Sequence, residues 1–435
     1  MSEVKVNKIS PRSGTTVTLG DSGDTFTVPS GATFDASNAT TTLPSTVVTT
    51  TGTQTLTNKT IDASQLTGTI TPSDATVTPA KLAYNYNQYR NIIINGDMSI
   101  AQRGTSTSSI TGNGYHTIDR FQTILTTLGT WTQSQDTDVP SGQGFVKSLK
   151  MACTTADASP AAGDMLLVTQ VFEGQNLQYL KKGTASAQSL TASFWVKSNK
   201  TGTYIGELYD VDNSRSISKS FTINSADTWE QKTITYAGDT TGAFDNDNAG
   251  SLYFSFFLGA GSNRTSGTLQ TSWGTFTEAN RAVGQVNLAD STSNYINITG
   301  VQLEAGTTAS DFEFLPVDVN LKRCQRYFQK TYNLDTAPGT ATDVGVGWTS
   351  GSSDSAGNVS YLPNFMCSMR TSPTVTGYAR DGTSGQGYFN RSGTAGNGTF
   401  NSHMRGENSV SVYVALGGTN VVGTVAAHVT MDAEL

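Results

Sequence analysis

Cysteine is scarce: three residues in 435, set far apart at Cys153, Cys324 and Cys367. They form no CxxC or Cys/His ligand spacing, and an odd count supplies no disulfide framework. Histidine is as rare, and His116, His403 and His428 are too dispersed to indicate a zinc site or to serve a Ser-His-Asp triad. No Gly-x-Ser-x-Gly elbow occurs. Charge is thin at 14% of residues, and a net charge of -7 with a pI near 5.0 leaves no basic stripe for nucleic acid. Apolar runs are short. None approaches the ~18 residues of a membrane span, and the first ten residues lack the apolar core of a signal peptide. The expectation is a chain that folds in a reducing cytoplasm and, if it works outside a cell, leaves by lysis within a particle.

What is abundant is glycine, 44 against 11 prolines, together with threonine, serine and asparagine. Hydroxyl-rich, turn-rich composition of this kind predicts an all-β protein. Period-two patterning marks strands at 166–172, 189–197, 203–211, 216–223, 231–236, 251–258 and 295–303. Asp/Asn turn clusters at 210–214 and 245–250 separate some of them. Strands at this spacing, with no helical segments between, predict a two-sheet sandwich or jelly roll over 91–318. After it, Leu321, Cys324 and Phe328 fall at helical spacing, so 319–332 reads as a short helix or as a strand leading out, with the helix favoured. Residues 330–435 return to Gly/Ser-rich β structure.

The first 90 residues are a different polymer. Residues 1–35 alternate apolar pairs with turns, which predicts small hairpins too few to bury a core alone. From 36 to 58 there is no charge, and 16 of the 39 residues from Thr40 to Thr78 are threonine. One copy of such a segment would bury too little to fold, so it needs a partner. Thr78 and Pro79 form a helix start, and Leu82, Tyr86 and Tyr89 give one apolar stripe for a short helical neck.

Between the two polymers lies the stretch 90–121. Ile92, Ile93 and Ile94 read as a buried strand stopped by Asn95-Gly96-Asp97. Met98, Ile100 and Gln102 then share one face of a second strand, with Ser99, Ala101 and Arg103 on the other. Asp119 and Arg120 stand as an adjacent charge pair. The N-I-I-I-N-G-D run at 91–97, Gln102-Arg103-Gly104, and Tyr115 followed by Asp119-Arg120-Phe121 resemble the opening of a jelly-roll module common in bacteriophage tail-fibre proteins. Segments 193–197, 227–230 and 298–306, and then Phe312-Glu313, Pro316 and 324–329, resemble its later parts. Residues 54–61 resemble the T-L-T-N-K-T-I signature of intertwined phage fibre shafts. Residues 12–24 resemble the virion-attachment end of marine phage fibres, and 369–376 with 429–435 a fibre tip.

The resemblance implies an elongated homotrimer. Its parts would be a virion-attachment segment at 1–35, an intertwined Thr-rich shaft and helical neck at 36–90, a carbohydrate-binding-module-like jelly roll at 91–318, and a connector with a small β tip at 319–435. Residues 1–35 would hold a phage tail or other virion protein, and the tip would bind a host surface glycan or other receptor. A capsid fibre or decoration protein without a receptor role is the alternative, a glycan-degrading tailspike the second, and a free-standing carbohydrate-binding module the third. Most acidic residues sit in turn motifs that favour Asp for backbone reasons, so no catalytic carboxylate pair stands out and no enzyme is expected. The oxygen-rich turns at Asp210, Asp212 and Asn213 and at Asp245, Asp247 and Asn248 suit calcium but equally suit plain turns, and no cofactor is expected. Glycans are held by flat aromatic faces with a few placed polar groups. In the tip, Trp348, Tyr378, Tyr388, Phe389, Asn390 and Arg391 are the candidates, beside the long polar loops 349–358 and 381–398. Trp195 and Trp229 read as core, while Trp131 and Trp273 are left open.

Overall fold

Strands form where side chains alternate most strictly. The computed structural model describes residues 9–17, 22–25, 27–33 and 89–435, and the chain divides into two compact units, Met1–Thr71 and Pro72–Leu435. In the first unit none of the described residues lies in a strand. Gly14, Gly23 and Gly31 take positive φ, and Ala32 N–H closes a turn on the Pro29 carbonyl at 3.0 Å. The shaft and nearly all of the neck, 34–88, lie outside the described residues.

In the second unit the strands are β1 (Ser106–Ile110), β2 (Gly114–Tyr115), β3 (Gln122–Thr126), β4 (Thr130–Asp136), β5 (Ser148–Thr155), β6 (Met165–Glu173) and β7 (Leu190–Ser198). They continue as β8 (Gly202–Asp210), β9 (Arg215–Ile223), β10 (Glu230–Tyr236), β11 (Gly250–Ala260), β12 (Gly274–Thr275) and β13 (Tyr295–Ala305). One sheet runs β1-β4-β5-β13-β7-β10 and the other β12-β9-β8-β11-β6-β3-β2. All seven strands expected from the alternation are present, and their inward residues form one large core. Phe194 meets Phe221 and Phe256 edge-on at 5.0 and 4.8 Å, the geometry that ring quadrupoles prefer. This is the all-β sandwich that a jelly roll requires.

The run 90–104 departs from expectation. Residues 92–94 and 98–104 are in no strand, although Ile93, Met98, Ile100 and Gln102 are buried. Side-chain amides take the place of a neighbouring strand. Asn91 Oδ1 accepts the amides of Ile93 and Leu303, both at 3.0 Å. Asn95, at φ 63°, accepts Ile100 N–H at 2.9 Å and donates to the Ile100 and Asp119 carbonyls. Gln170 binds both the amide and the carbonyl of Ile94. A Cβ on Gly96 would lie 2.0 Å from the Val301 carbonyl oxygen, so only glycine permits this approach. Buried polar backbone must be paired somewhere, and here the asparagines pair it.

Beyond the sandwich, α2 (Val317–Gln325) leads into β14 (Phe328–Lys330), so 319–332 is a helix followed by a strand; the other α-helix among the described residues, α1 (Ser262–Thr265), lies in the sandwich, beside four single-turn 3-10 helices. There follow β15 (Gly347–Ser352), β16 (Asn358–Tyr361), β17 (Thr374–Tyr378), β18 (Gln386–Arg391), β19 (Thr394–His403), β20 (Ser411–Ala415) and β21 (Val422–Asp432). They pair in the order β14-β21-β18-β19-β20-β16, with β15 and β17 also on β21. Val425, Ala427, Val429 and Met431 of β21 turn to a second, separate core.

The two cores are joined by a buried polar seam, and Asp119 and Arg120 do not pair with each other within it. Asp119 accepts the backbone and side-chain N–H groups of Gln102, at 2.9 and 2.5 Å. Arg120 lies over the Tyr327 ring, 3.5 Å from its centroid, donates to the Val171 carbonyl and pairs with Glu434. Arg103 reaches Asp432 at 3.0 Å and Glu434 at 3.3 Å. Lys330 Nζ donates to the Gln102, Leu334 and Thr336 carbonyls.

Candidate functional site

Directly opposed residues on neighbouring strands present their side chains on the same face. Ala426 of β21 opposes Trp348 of β15 on one side and Tyr388 of β18 on the other, and Tyr388 opposes Asn397 of β19. Two strand spacings put the Trp348 and Tyr388 backbones about 10 Å apart. The alanine between them leaves a shallow floor. Trp348 is 68% exposed, a high figure for a tryptophan in a paired strand. The next row on this face is Ser350, Thr424 and Asn390, with the Ser350 and Thr424 hydroxyls bonded at 2.9 Å.

Three charged groups border the row. Arg380 lies over Tyr388, 4.6 Å from the ring centroid, and makes a bidentate pair with Asp343. The Asp343 hydrogen bond, and after it Tyr388, raise the guanidinium's affinity for its proton, and the same hydrogen bond from Arg380 holds the Asp343 carboxyl below the ordinary carboxylate range. Asn397 Nδ2 donates to Asp381 at 2.7 Å.

The six expected residues therefore separate. Trp348, Tyr388 and Asn390 share the open face. Phe389 and Arg391, one position out of phase, point to the other side: Phe389 packs against the second core, and Arg391 Nη1 donates to the Gly417 carbonyl at 2.7 Å. Tyr378 is on the face of Trp348 but further along, opposite His428, with its ring 6.1 Å from Tyr332. There the sheet is covered rather than open. Tyr332 stacks on His428 at 3.7 Å with 11° between planes. Arg380, Asp343 and Asn397 were not expected, since three separate segments contribute them.

His428 is fully buried. A carbonyl can only accept, so Nε2 donates to Thr342 at 3.1 Å and Nδ1 accepts from the Thr331 hydroxyl at 3.3 Å. Burial lowers its pKa below 6.5, against the opposing pull of the Thr342 hydrogen bond and Asp343. The unfolded chain then takes up this proton at a higher pH than the folded one. The stability it contributes is complete above about pH 6.5 and is lost as pH falls through the lowered folded value. Urea unfolding from pH 7 to 5 should show a declining free energy, by at most about 1.4 kcal/mol per pH unit from this group. His428→Gln should remove that part of the slope.

Elsewhere, Trp131 is core, with its N–H donated to Leu128. Trp195 and Trp229 are not core. Trp195 alternates with buried Phe194 and Val196 and so lies half-buried on the outer face. Trp229 precedes β10 and donates to Asp138 at 2.9 Å. Trp273 is half-buried and donates to the Ala237 carbonyl. At the oxygen-rich turns, the Lys182 ammonium sits between Asp210 at 2.5 Å and Asp239 at 3.1 Å. Asp212 accepts the Asp245 amide. Among the described residues, no cluster of three His, Cys, Asp or Glu is placed to hold a metal ion, and no helix is long and apolar enough to cross a membrane.

No protein-family model matches the chain, and no curated protein matches it. Among solved structures it is similar to the enzymatically active domain of tailspike protein 4 from Bacteriophage CBA120, at 15% identity and a TM-score of 0.27, over 50% of this chain and 22% of that one. The match thus spans about a fifth of the tailspike chain. It is also similar to the Family 11 Carbohydrate-Binding Module from Clostridium thermocellum, solved in complex with a mixed-linked tetrasaccharide: 10% identity, TM-score 0.22, 48% of this chain and 98% of that one. TmCBM61, solved in complex with beta-1,4-galactotriose, gives 10% identity, TM-score 0.24, and 50% and 99% coverage. Similarities at this level carry no argument about function.

Proposed function

We propose that this chain is a bacteriophage fibre protein, a homotrimer that adheres to a glycan of the host surface through the open face of its tip sheet. The row Trp348–Ala426–Tyr388 carries the reading. It sets two aromatic side chains on one rigid sheet face, a small residue between them, and amide, hydroxyl and guanidinium groups at the edge. Sugar rings offer apolar faces and hydroxyl rims, which such a surface complements. The virion part of the reading is supported by the sequence motifs at 91–97, 102–104, 115–121 and 54–61. Residues 1–35 would attach to a tail or other virion protein, 36–90 would wind three copies together, 91–318 would form the body, and 319–435 the connector and tip. The protein would assemble in the host cytoplasm and act on the virion without turning over its ligand. Three tips on one stalk make weak contacts effective together.

The test incubates the full chain with host-envelope polysaccharide. Retention of polysaccharide with no new reducing ends is the expected outcome. Release of reducing ends would replace the adhesin by a glycan-degrading tailspike, and no retention would leave the capsid fibre or decoration protein.

A further inference from the structure

Residues 34–88 join the sandwich at Tyr89, and one side chain fixes that junction. Glu313 accepts the Tyr89 amide at 2.8 Å and the Asn91 amide at 2.9 Å. Arg90 reaches back to the Asp311 carbonyl and to Glu304. The residues on either side of Glu313 are Phe312 and Phe314, which with Phe145 form a triad of rings 4.8–5.1 Å apart. Phe145 is buried, seated where Gly300 has no side chain, and Phe312 is half-buried. Phe314 is not: it is 50% exposed, with Val317 at 63% and Val146 at 67%. Pro316 is exposed between them. Three large apolar groups in water around one aromatic triad form a surface that calls for a partner.

We propose that the patch of Val146, Phe314, Pro316 and Val317 is where copies of this chain meet at the base of the body. The inference rests on the trimeric reading above. If 36–88 wind around a threefold axis, the part of the body nearest that axis is the part attached to Tyr89, and Glu313 ties Phe314 to it. A residue that lies on a threefold axis meets its own equivalents in both other copies, and one beside the axis meets a different residue of the next copy, so the contacts close into a ring. Like charges placed there would repel threefold.

The test uses the full chain and its F314E/V317E variant, both followed by light scattering and small-angle scattering. Phe314 is half exposed and Val317 63% exposed, so the fold of each copy is expected to be retained, which circular dichroism verifies. The expected result is a wild-type trimer and a variant that dissociates on dilution at an about tenfold higher concentration, or that stays trimeric with a larger radius of gyration because the bodies splay. A wild-type trimer with an indistinguishable variant would overturn the patch and leave the trimer standing. A wild-type monomer would overturn both.

Discussion

Glu434→Ala lowers the unfolding free energy by about 3–5 kcal/mol, the cost of leaving a buried charge without its partner. Arg120 is fully buried, and Arg103 nearly so. Glu434 is the acidic side chain that faces both. Its own carboxyl is pulled above the ordinary range by burial, against the two guanidinium groups, so it sits where a charge is tolerated only because it is shared. Removing it strands Arg120 between the cores, while Arg103 keeps its pair with Asp432. The melting temperature should fall on the order of 10 °C. A second signature separates this from ordinary core damage: a single thermal transition should split, because the seam couples sandwich and tip. Glu434→Gln should fall between wild type and Ala, since the amide keeps an acceptor but not the charge. An Ala variant within about 0.5 kcal/mol of wild type would show the seam to be dispensable.

Trp348→Ala with Tyr388→Ala should abolish retention of host-envelope polysaccharide by the full chain while leaving the fold intact. Each lost aromatic stack weakens one tip by about tenfold, or 1.4 kcal/mol. The double variant loses two such stacks, about a hundredfold per tip, and under the proposed multivalent attachment the apparent loss is larger still. Trp348 already projects into water, so its removal exposes no core. The control is Trp229→Ala on the sandwich, which should retain binding and so assign the glycan to the tip rather than to the body. Equilibrium binding of labelled polysaccharide, beside a thermal melt of each variant, checks both. Wild-type binding by a folded double variant would remove the tip sheet from consideration.

Alternation made much of this legible from residues alone. Strand β9 carries Ile217, Phe221 and Ile223 at even spacing, β6 and β11 are apolar almost throughout, and all three form with ends shifted by at most two residues. The same period separates Tyr388 and Asn390 from Phe389 and Arg391. What it could not show is which part of that face is covered, because that depends on Thr331, Tyr332 and Thr342 lying over His428. Ile92, Ile93 and Ile94 misled for a related reason. An apolar triplet looks alike in a strand and in a loop whose backbone is paired by asparagine side chains, and only the placement of Asn91, Asn95 and Gln170 decides. Trp195 lies in phase with the outward positions of β7, and phase outweighs the usual burial of tryptophan there. Arg380, Asp343 and Asn397 converge from segments with no sequence spacing to reveal them.

The seam also bears on the order of events at the ribosome. Sandwich strands can pair as they emerge, since most of their partners lie within the same 200-odd residues. Arg120 cannot: its counter-ion is 314 positions later, and contacts that distant form slowly. Until Glu434 has been made, each nascent sandwich carries an unneutralised cation at the place where the tip will dock. Docking of the tip on the sandwich, which sets Glu434 against Arg120, therefore waits for the last part of β21 and the residues after it.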